Sequence, residues 1–408
     1  MALEKAGTPS GQDLSRWETA IHELASFERP SASEGERRAA EWIAQQLREL
    51  GCSVAIDEET AHGGYWWPLG LANLLGAAGA LTALRRRGRP ARALASLAAG
   101  VGAAAIWDDV SGGRLWFRRA LLPHRSTWNV VAEAGDLAAQ QTLVIVAHHD
   151  AAHSGLVFHP ALGQIGPRLA PGAHARSSHT FPIMYLVWAG PVLALAGALL
   201  GSRRASAAGL AVALGTATAM ADIGARSVVP GANDNLTAVG IVVALAAALQ
   251  EQPVEGLRVL LVSTGSEESF MEGMQGFARR HFGDLDPSHT EVLCLECLGG
   301  PHLIVLEGEG MLRMRDYSPV LRDALAEAGR EEGIEVGRGI RTVAATDGLI
   351  ALRAGYPVAT LASVTDAKLP LNYHWPSDTP AELHWETIRK AIRVCERFLR
   401  QRSGKARL

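Results

Sequence analysis

The sequence is poor in cysteine and nearly balanced in charge, and both features narrow the classes of protein to which it can belong. Four cysteines in 408 residues are too few for a dense disulfide framework. Cys294 and Cys297 form one C-x-x-C pair without a second pair, which argues against a zinc ribbon and favours small buried side chains in a strand. A formal net charge of −3 gives no electrostatic support for a nucleic-acid partner.

Helix-like and strand-like segments alternate along most of the chain. Apolar residues recur at helical spacing in residues 15–50, and residues 385–402 have the pattern of a basic amphipathic helix. Runs typical of strands stand between such segments, and they include TWNVVAEAG, TLVIVAHHD, LRVLLVSTG, TEVLCLECLGG and YPVATLAS. This alternation predicts an α/β layer fold with a mostly parallel central sheet.

Four long apolar runs interrupt this alternation, and they pair into two hairpins at residues 65–107 and 181–221. The first run of each hairpin has about 20 residues, which is enough to cross the hydrocarbon core of a bilayer. Aromatic residues collect at one end of each hairpin, and the arginine-rich turns RRRGRPAR and GSRR lie at the other, as at membrane interfaces. We therefore predict a multi-pass membrane protein that contacts the lipid bilayer. A soluble helical cap or an apolar dimer interface is the alternative.

The remaining segments, residues 1–64, 108–180 and 222–408, are predicted to form a single domain beside the two hairpins. Arginines flank both ends of the apolar runs in similar numbers, so their distribution does not define the side of the membrane on which this domain lies. The first 20 residues, MALEKAGTPSGQDLSRWETA, are polar and show no cleavable leader, which favours the cytoplasmic side.

Polar side chains of metal-binding types follow or close several of the apolar runs. One strand-like run ends in a histidine, another ends in two adjacent glutamates, and a third carries a glutamate near its end. Ligands in open α/β sheets bind beyond the carboxyl ends of the strands, so we expect these side chains to converge at one edge of one sheet. The candidate residues are His148, Asp150, Asp234, Glu267, Glu268, Glu296 and His374.

Two imidazoles and several carboxylates form a set that suits zinc, with cobalt and manganese as alternatives. Two histidines and three carboxylates can hold two metal ions if one carboxylate bridges them, and such a pair can hold a hydroxide and polarise a carbonyl. One glutamate of the adjacent pair is then left over, so we interpret Glu268 as a ligand and Glu267 as the general base. Each residue alone has an ordinary explanation, such as a surface ion pair or a helix N-cap, and their joint order carries the hypothesis.

The order of these motifs resembles that of peptidase family M28, the zinc aminopeptidases with two co-catalytic metal ions. The family order is His-x-Asp, Asp-Asn, Glu-Glu, Asp or Glu, and a late His. The segment ATDGLIALRAGYPVATLAS also resembles the family, and Asp347 matches its Ser-Asp position. The resemblance covers residues 15–60 and 126–400, apart from the stretch that contains the second hairpin. The motifs read HHD (148–150), NDN (233–235), EE (267–268), LEC (295–297) and YHWPSDT (373–379).

The resemblance implies a three-layer α/β/α sandwich with a mixed, mostly parallel sheet and a site for two zinc ions per chain. By analogy with the family, Asp234 would bridge the two ions. His148 and Glu296 would complete the first site, and Glu268 and His374 would complete the second.

The resemblance also implies roles for the two remaining candidate residues. Asp150 would orient the ring of His148, and Glu267 would activate the water between the metals. Two positions depart from the family pattern: Glu296 stands where the family usually has aspartate, and Phe270 stands in place of a usual glycine. These departures bear on the choice of substrate more than on the metals.

Together these features predict a membrane-associated, zinc-dependent metallopeptidase that hydrolyses peptide substrates as an aminopeptidase-type exopeptidase. One alternative is an acyl transferase that resembles the glutaminyl cyclases and holds a single zinc ion, so the number of zinc ions per chain separates the two. Another alternative is a non-catalytic M28-like scaffold or receptor, although such proteins typically lose ligands and every ligand position is filled here. The oligomeric state does not follow from the sequence.

Overall fold

A mixed sheet of seven strands forms the centre of the chain in a computed structural model, which describes residues 15–86 and 88–405. The prediction that the first 20 residues contain no cleavable leader falls mostly on residues 1–14, which lie outside the described residues. The large sheet has the order β1-β2-β4-β3-β5-β10-β6, and β7, β8 and β9 form a separate small sheet. These strands are β1 (Ser53–Ala61), β2 (Arg125–Gly135), β3 (Thr142–His148), β4 (Arg258–Thr264), β5 (Thr290–Glu296), β6 (His302–Val305), β7 (Gly308–Glu309), β8 (Arg315–Asp316), β9 (Arg341–Thr342) and β10 (Val358–Val364).

The four central strands of the large sheet, β4, β3, β5 and β10, run parallel, and the strands at both edges are antiparallel to their neighbours. Three of the six neighbouring pairs are parallel, so the prediction of a mixed sheet is confirmed, and the parallel pairs are confined to these four strands. Parallel neighbours need a long crossover, whereas antiparallel neighbours need only adjoining ends. β1 and β2 meet this second condition because their end residues Ala61 and Arg125 are paired.

The parallel strands end together at one edge of the sheet. His148, the last residue of β3, is in register with Thr264, the last residue of β4. Glu296, at the end of β5, is in register with Ala362 in β10. The carboxyl ends of the strands that precede the polar motifs therefore lie side by side, as expected for a site at this edge.

Helices surround the sheet, and the first two begin at ordinary start signals. Ser15 and Glu18 form a capping box, and the side chain of Ser33 caps the next helix. The helices are α1 (Arg16–Ala25), α2 (Glu34–Glu49), α3 (Trp66–Arg85), α4 (Arg89–Val110), α5 (Trp116–Leu121), α6 (Pro160–Gly163), α7 (Ile165–Leu169), α8 (Pro171–Arg176), α9 (Ile183–Leu200), α10 (Arg203–Ala225), α11 (Thr237–Glu251), α12 (Glu272–His281), α13 (Pro319–Glu331), α14 (Gly348–Ala354) and α15 (Trp385–Lys405).

Helices cover both faces of the large sheet. On one face, α1, α2, α11, α13 and α15 share a hydrophobic core with the strands, and Leu47, Val243 and Phe398 are fully buried there. On the other face, α12 and α14 pack together with the ends of α3 and α4 that adjoin the sheet, and Phe277 and Ile106 are fully buried there. Helices, sheet and helices thus form the three layers that the sequence analysis expects.

The apolar runs form two helical pairs, α3 with α4 and α9 with α10, which pack against one another in a four-helix cluster. Small residues permit this close packing. A Cβ atom added to Gly102 would lie 2.4 Å from the carbonyl oxygen of Ala72, and one added to Gly209 would lie 2.4 Å from the amide nitrogen of Ala194. Helix backbones that approach so closely are typical of helix packing in lipid.

Five helical segments in the described part of the chain are long and apolar enough to cross a membrane, judged by length and composition. They are α3, α4, α9, α10 and the segment Ala232–Glu251, which contains α11. The apolar stretch of this last segment is 83% buried and packs on the sheet, so it is a core helix, whereas those of the other four are 22–50% buried. Leu94, Leu97 and Leu200 on these four helices are mostly exposed.

Each helical pair leaves the large sheet and its flanking layers and returns through neighbouring backbone positions. The first pair departs after Ala61 and returns at Arg125, which are the last paired positions of β1 and β2. At the base of the second pair, Val229 N donates to Ala152 O at 2.9 Å. Because the two ends of each helical pair are joined by backbone pairing, the helices are inserted without interrupting the sheet.

Candidate metal centre

The polar residues of the sequence motifs meet beyond the carboxyl edge of the parallel strands. His148 and Glu296 are the last residues of β3 and β5, and Glu267 and Glu268 stand in the loop that follows β4. The side chains are largely buried: His148 is 1% exposed, Glu268 is 8% exposed, and Glu296 is 17% exposed. The strand register therefore brings together motifs that are far apart in the sequence.

Asp234 and His374 reach the same place from two loops that are bound to each other. Asp234 lies in the irregular turn Ala232–Leu236 before α11, and His374 lies in a turn after β10. The carboxylate of Asp378 accepts hydrogen bonds from the backbone nitrogens of Asn233 at 2.7 Å and Asp234 at 3.1 Å. Asp378 belongs to the YHWPSDT motif, but the sequence analysis gave it no role, because its carboxylate acts on the backbone of a distant loop.

Three sets of three side chains could each hold a cation, and the ligand atoms within each set lie within 4.8 Å of one another. Two of these sets share Asp234 and are the two that the M28 resemblance implies. The third set contains both glutamates of the adjacent pair. The sets are His148 with Asp234 and Glu296, Asp234 with Glu268 and His374, and His148 with Glu267 and Glu268.

The carboxylate of Asp234 stands between the two imidazoles. Its Oδ1 atom is 3.2 Å from His148 Nε2, and its Oδ2 atom is 3.3 Å from His374 Nε2. A second carboxylate lies beside each ring, with Glu296 Oε1 3.7 Å from His148 Nε2 and Glu268 Oε2 3.0 Å from His374 Nε2. Two oxygens of one carboxylate that face two different imidazoles form the geometry of a bridging ligand.

Glu267 lies beside these groups, with its Oε2 atom 4.0 Å from His148 Nε2 and its side chain 11% exposed. Burial raises the pKa of its carboxyl well above the ordinary value; His148 opposes this shift, and the neighbouring carboxylates of Glu268, Asp347 and Glu296 add to it. A carboxylate with a raised pKa holds a proton more firmly, which suits a general base.

Asp150 connects the ring of His148 to the glutamate pair. Its carboxylate accepts hydrogen bonds from the backbone nitrogens of Glu267 at 3.0 Å and Glu268 at 3.1 Å, and from the hydroxyl of Ser31 at 2.6 Å. The Oδ1 atom is also 3.4 Å from Nδ1 of His148. Burial would raise the pKa of Asp150, but contacts with His148 and Ser31 lower it below the ordinary value, so the side chain is a fixed anion.

The electrostatics of the cluster favour positive charge. Burial lowers the pKa of His374, but the carboxylates of Glu268 and Asp234 outweigh this effect and raise it to about 10. The pKa of His148 is likewise raised well above its ordinary value, because Asp150, Asp234 and Glu296 outweigh the effect of burial. The site therefore attracts cations, whether protons on the imidazoles or metal ions between them.

Unpaired oxygens show that the donor set fits a metal. Asp234 Oδ2 and Glu268 Oε1 are buried and accept no hydrogen bond from the described residues. A buried carboxylate oxygen without a donor is costly, and a cation between the carboxylates and imidazoles would offset that cost. Nitrogen and oxygen donors in this arrangement suit zinc.

Arg29 is a buried residue of the site that the sequence analysis missed. Its guanidinium donates to the carbonyl oxygens of His149 at 2.7 Å, Pro230 at 2.6 Å and Gly231 at 2.8 Å. It therefore ties the segment after His148 to the turn that contains Asp234. No local signal marks an arginine before a proline as buried, because its partners are carbonyl groups from other parts of the chain.

Glu36 is a second missed residue, and it supports the loop that leads to Glu267. Its carboxylate accepts hydrogen bonds from Ser266 N at 2.9 Å, Ala32 N at 2.8 Å and Thr127 Oγ1 at 2.6 Å. Burial raises the pKa of Glu36 to about 8 against the effect of these donors. A signal was present in the sequence: residues 36, 40, 43 and 47 share the buried face of α2, so a carboxylate falls on an apolar face.

The two departures from the family pattern occupy different parts of the site. Glu296 lies beside His148 and Asp234 among the candidate ligands. Phe270, in place of the usual glycine, has a left-handed backbone with φ of 69°, and its ring lies 5.2 Å from that of Tyr65. Residues with a side chain are uncommon in that backbone region, so the packing of the ring against Tyr65 and Arg118 must hold this conformation.

Asp347, which matches the Ser-Asp position of the family, lies behind the candidate ligands. It is buried, and Thr264 Oγ1 donates a hydrogen bond to its Oδ2 atom. Burial raises the pKa of Asp347 to about 7. Because it contacts Thr264, the last residue of β4, its charge lies close enough to Glu267 to raise the pKa of that residue.

A family comparison supports the resemblance found in the sequence. Residues 209–399 match the model described as "Peptidase family M28", so the resemblance to this family is confirmed. The matched range contains Asp234, the glutamate pair, Glu296 and His374, and it begins after His148. No curated protein sequence matches the chain.

Several solved structures share the fold. An aminopeptidase from Aneurinibacillus sp. strain AM-1 has 14% identity and a TM-score of 0.57, with 94% of this chain and 92% of that chain covered. A zinc aminopeptidase from Bacillus subtilis has 13% identity and a TM-score of 0.54, with 95% and 94% covered. A glutaminyl cyclase from Bacteroides thetaiotaomicron has 12% identity and a TM-score of 0.54, with 94% and 96% covered. Because peptidases and a cyclase are equally similar, the fold does not select the reaction.

Proposed function

We propose that this chain, whose residues 209–399 match the model of peptidase family M28, belongs to that family and is a zinc-dependent peptidase of the aminopeptidase type. The observation that carries the proposal is the position of Asp234, whose two carboxylate oxygens face different imidazoles. Each imidazole also has a further carboxylate beside it, from Glu296 or Glu268. Three side chains therefore surround each of two neighbouring cation positions.

The proposed ligands would hold two zinc ions with Asp234 shared between them. His148 and Glu296 would complete one site, and Glu268 and His374 would complete the other. When bound, zinc supplies Lewis acidity that polarises the scissile carbonyl and lowers the pKa of a water molecule. The negative charge of the carboxylate cluster is well matched to two divalent cations.

Glu267 is proposed as the general base. Its carboxylate accepts a proton from the attacking water and then delivers that proton to the nitrogen of the leaving amine, so the proton is conserved through the reaction. Asp150 would keep the base in reach, because it accepts a hydrogen bond from Glu267 N and also contacts the ring of His148. One buried anion thereby fixes the relative positions of the base and a ligand.

The second candidate function is an acyl transfer of the glutaminyl cyclase type. It is favoured by the solved cyclase of the same fold, which matches this chain as well as the zinc aminopeptidase does. A non-catalytic scaffold is less consistent with the structure, because the proposed ligands and base all lie in one cluster.

The proposed reaction is tested with purified full-length protein and a panel of peptides that have free, acetylated or glutaminyl amino-termini. We expect hydrolysis of peptides with a free amino-terminus, complete loss of activity on chelation, and recovery on addition of zinc. Elemental analysis should find close to two zinc ions per chain. Release of a cyclised glutaminyl product without hydrolysis, together with one zinc ion per chain, would instead establish the cyclase function.

We further propose that residues 1–64, 108–180 and 222–408 form one catalytic domain and that the two helical pairs anchor it in a membrane. The helices α3 and α4, with 20 and 22 residues, are about 30 Å long at 1.5 Å per residue, which matches a bilayer core. Trp67 and Trp107 are 59% and 45% exposed at the ends that adjoin the sheet domain. Aromatic side chains at this level are typical of membrane interfaces.

The membrane proposal predicts that the intact chain sediments with membranes and resists alkaline carbonate extraction. Detergent should release it, because exposed leucines on the four helices would otherwise face water. A chain that is monodisperse in buffer without detergent would contradict the proposal. A reporter fused to the carboxyl-terminus then tests the cytoplasmic placement of the catalytic domain, which we favour.

A further inference from the structure

A buried arginine joins the first helical pair to the loop that carries the glutamate pair. Arg118 in α5 is fully buried, and its Nε and Nη2 atoms donate to the two oxygens of Asp109 at 2.9 and 2.7 Å. Asp109 lies in the last turn of α4. The Nη1 atom of Arg118 donates to the carbonyl oxygen of Ser269 at 2.5 Å, and Ser269 directly follows Glu268.

Glu272 connects the other end of the first helical pair, the residues just before α3, to the same loop. Its Oε2 atom accepts hydrogen bonds from the backbone nitrogens of His62 and Gly63 at 3.0 Å each, and it lies 3.3 Å from Arg118 Nη1. Its Oε1 atom is 2.7 Å from the ring of His62. Since residue 62 precedes α3 and residue 118 follows α4, both ends of the first helical pair converge on residues 269–272.

The second helical pair contacts another of the proposed ligands. Asp222 in α10 accepts a hydrogen bond from Leu156 N at 2.6 Å, and this fixes the short turn Leu156–Phe158. The ring of Phe158 stands edge-on to His374, with ring centroids 4.6 Å apart and an interplanar angle of 70°. The position of the His374 imidazole therefore depends, through this turn, on the position of α10.

The two candidate metal sites thus have different structural supports. His148 and Glu296, which belong only to the first site, are the last residues of two central strands and are fixed by the sheet. Glu268 and His374, which belong only to the second site, stand in loops that contact α5 and the turn Leu156–Phe158. These two elements are in turn bonded to α4 and α10 of the helical pairs. A change in helix packing would consequently displace ligands of the second site and leave those of the first in place.

We propose that Arg118 is a positioning residue for the second metal site, which it sets through the carbonyl group of Ser269. The occupancy of that site then depends on the packing of the helical pairs. This inference rests on the two-metal function proposed above. A guanidinium suits the task because its fixed fork can bond Asp109 and Ser269 at once, whereas an ammonium group lacks that geometry. A buried ion pair that only stabilised the fold would favour neither metal site.

The test compares Arg118→Lys with Arg402→Lys in the full-length protein. Lysine at position 118 keeps a positive charge near Asp109 but loses the fork. Arg402 is a matched control, because it is largely buried, bonds a carboxylate of Glu291 and lies 5.9 Å from the ring of Phe398, outside both metal sites. Metal-depleted proteins are titrated with zinc alone by calorimetry. In Arg118→Lys we expect the dissociation constant of one site to stay unchanged and that of the other to rise by about tenfold or more.

Equal weakening of both sites, or the same weakening in Arg402→Lys, would overturn the assignment. Amide hydrogen exchange of residues 266–272 in the metal-free protein gives an independent measurement, and exchange should be faster in Arg118→Lys than in the wild type or the control. Unchanged exchange would refute the positioning role. A wild-type chain that binds only one zinc ion would overturn the two-metal function, while hydrogen exchange would still decide the role of Arg118.

A second variant covers the case in which Arg118→Lys does not fold. Phe158→Leu keeps an apolar side chain but removes the aromatic edge that faces His374. Its expected effect is again a weaker second site and an unchanged first site. Wild-type affinity at both sites in Phe158→Leu would overturn the dependence of the second site on the packing of the helical pairs, because the turn that joins α10 to His374 would then not set that site.

Discussion

Replacing Glu267 by glutamine is expected to abolish turnover while leaving metal binding intact. Glutamine has nearly the same shape as glutamate but cannot accept and return a proton, so kcat/KM should fall by about 10²–10⁴-fold. The backbone nitrogen of Glu267 would still donate to Asp150, so the loop should keep its position. Steady-state kinetics and zinc analysis on the same preparation measure the two effects separately.

The pH profile gives this prediction a second readout. The pKa of Glu267 is raised by burial and by neighbouring carboxylates, although His148 opposes the shift. Since only the ionised form accepts a proton, wild-type kcat/KM should decrease as the pH falls through this pKa, and the decrease should be absent from Glu267→Gln. Glu386→Gln, at a mostly exposed side chain of α15, is the matched control and should behave as the wild type. Unchanged turnover in Glu267→Gln would remove Glu267 from the proposed role.

Replacing Asp234 by alanine is expected to remove both metal ions. Its two oxygens face the two imidazoles at 3.2 and 3.3 Å, so one substitution deletes a ligand from each proposed site. Loss of a residue that merely supports a ligand costs about 10–100-fold in metal affinity, and loss of a shared ligand should cost more. Zinc analysis after dialysis should therefore find almost no metal in Asp234→Ala.

Single-site variants are the controls for this result. His374→Ala and Glu296→Gln each change a residue of only one candidate site, so each should retain close to one zinc ion per chain. Added zinc should raise the melting temperature of the wild type by mass action and should leave that of Asp234→Ala almost unchanged. Full zinc occupancy in Asp234→Ala would exclude a bridging carboxylate.

The convergence of the candidate ligands could be predicted because several of them stand at strand ends. His148 and Glu296 close apolar runs that read clearly as strands, and parallel strands place such residues at one edge. The buried charged residues that support the site, Arg29 and Glu36, were harder to predict from the sequence. The partners of Arg29 are backbone carbonyls in distant segments, and no residue type marks those positions. Glu36 could have been noticed, because it falls on the buried face of an amphipathic helix.

Local sequence patterns likewise predict some features of the fold and not others. Arginine is compatible with a helix, so helices can extend beyond the apolar runs that predict them. α4 begins at Arg89 and α10 begins at Arg203, before the apolar runs at residues 93–107 and 205–221. The strands of the small sheet have two residues each, which is too short for a periodic pattern. The antiparallel edges depend on how connections return to the sheet, which composition does not encode.

The closed base of the first helical pair has a consequence for the order of folding. Strands β1 and β2 pair directly although residues 62–124 separate them, and closing a long flexible loop costs conformational entropy that grows with its length. Once α3 and α4 have folded against each other, the intervening chain acts as a short tether that already holds Ala61 near Arg125. Assembly of this edge of the sheet is therefore easiest after the helices have formed, which would make the apolar segment an early folding unit and the edge strand a late one.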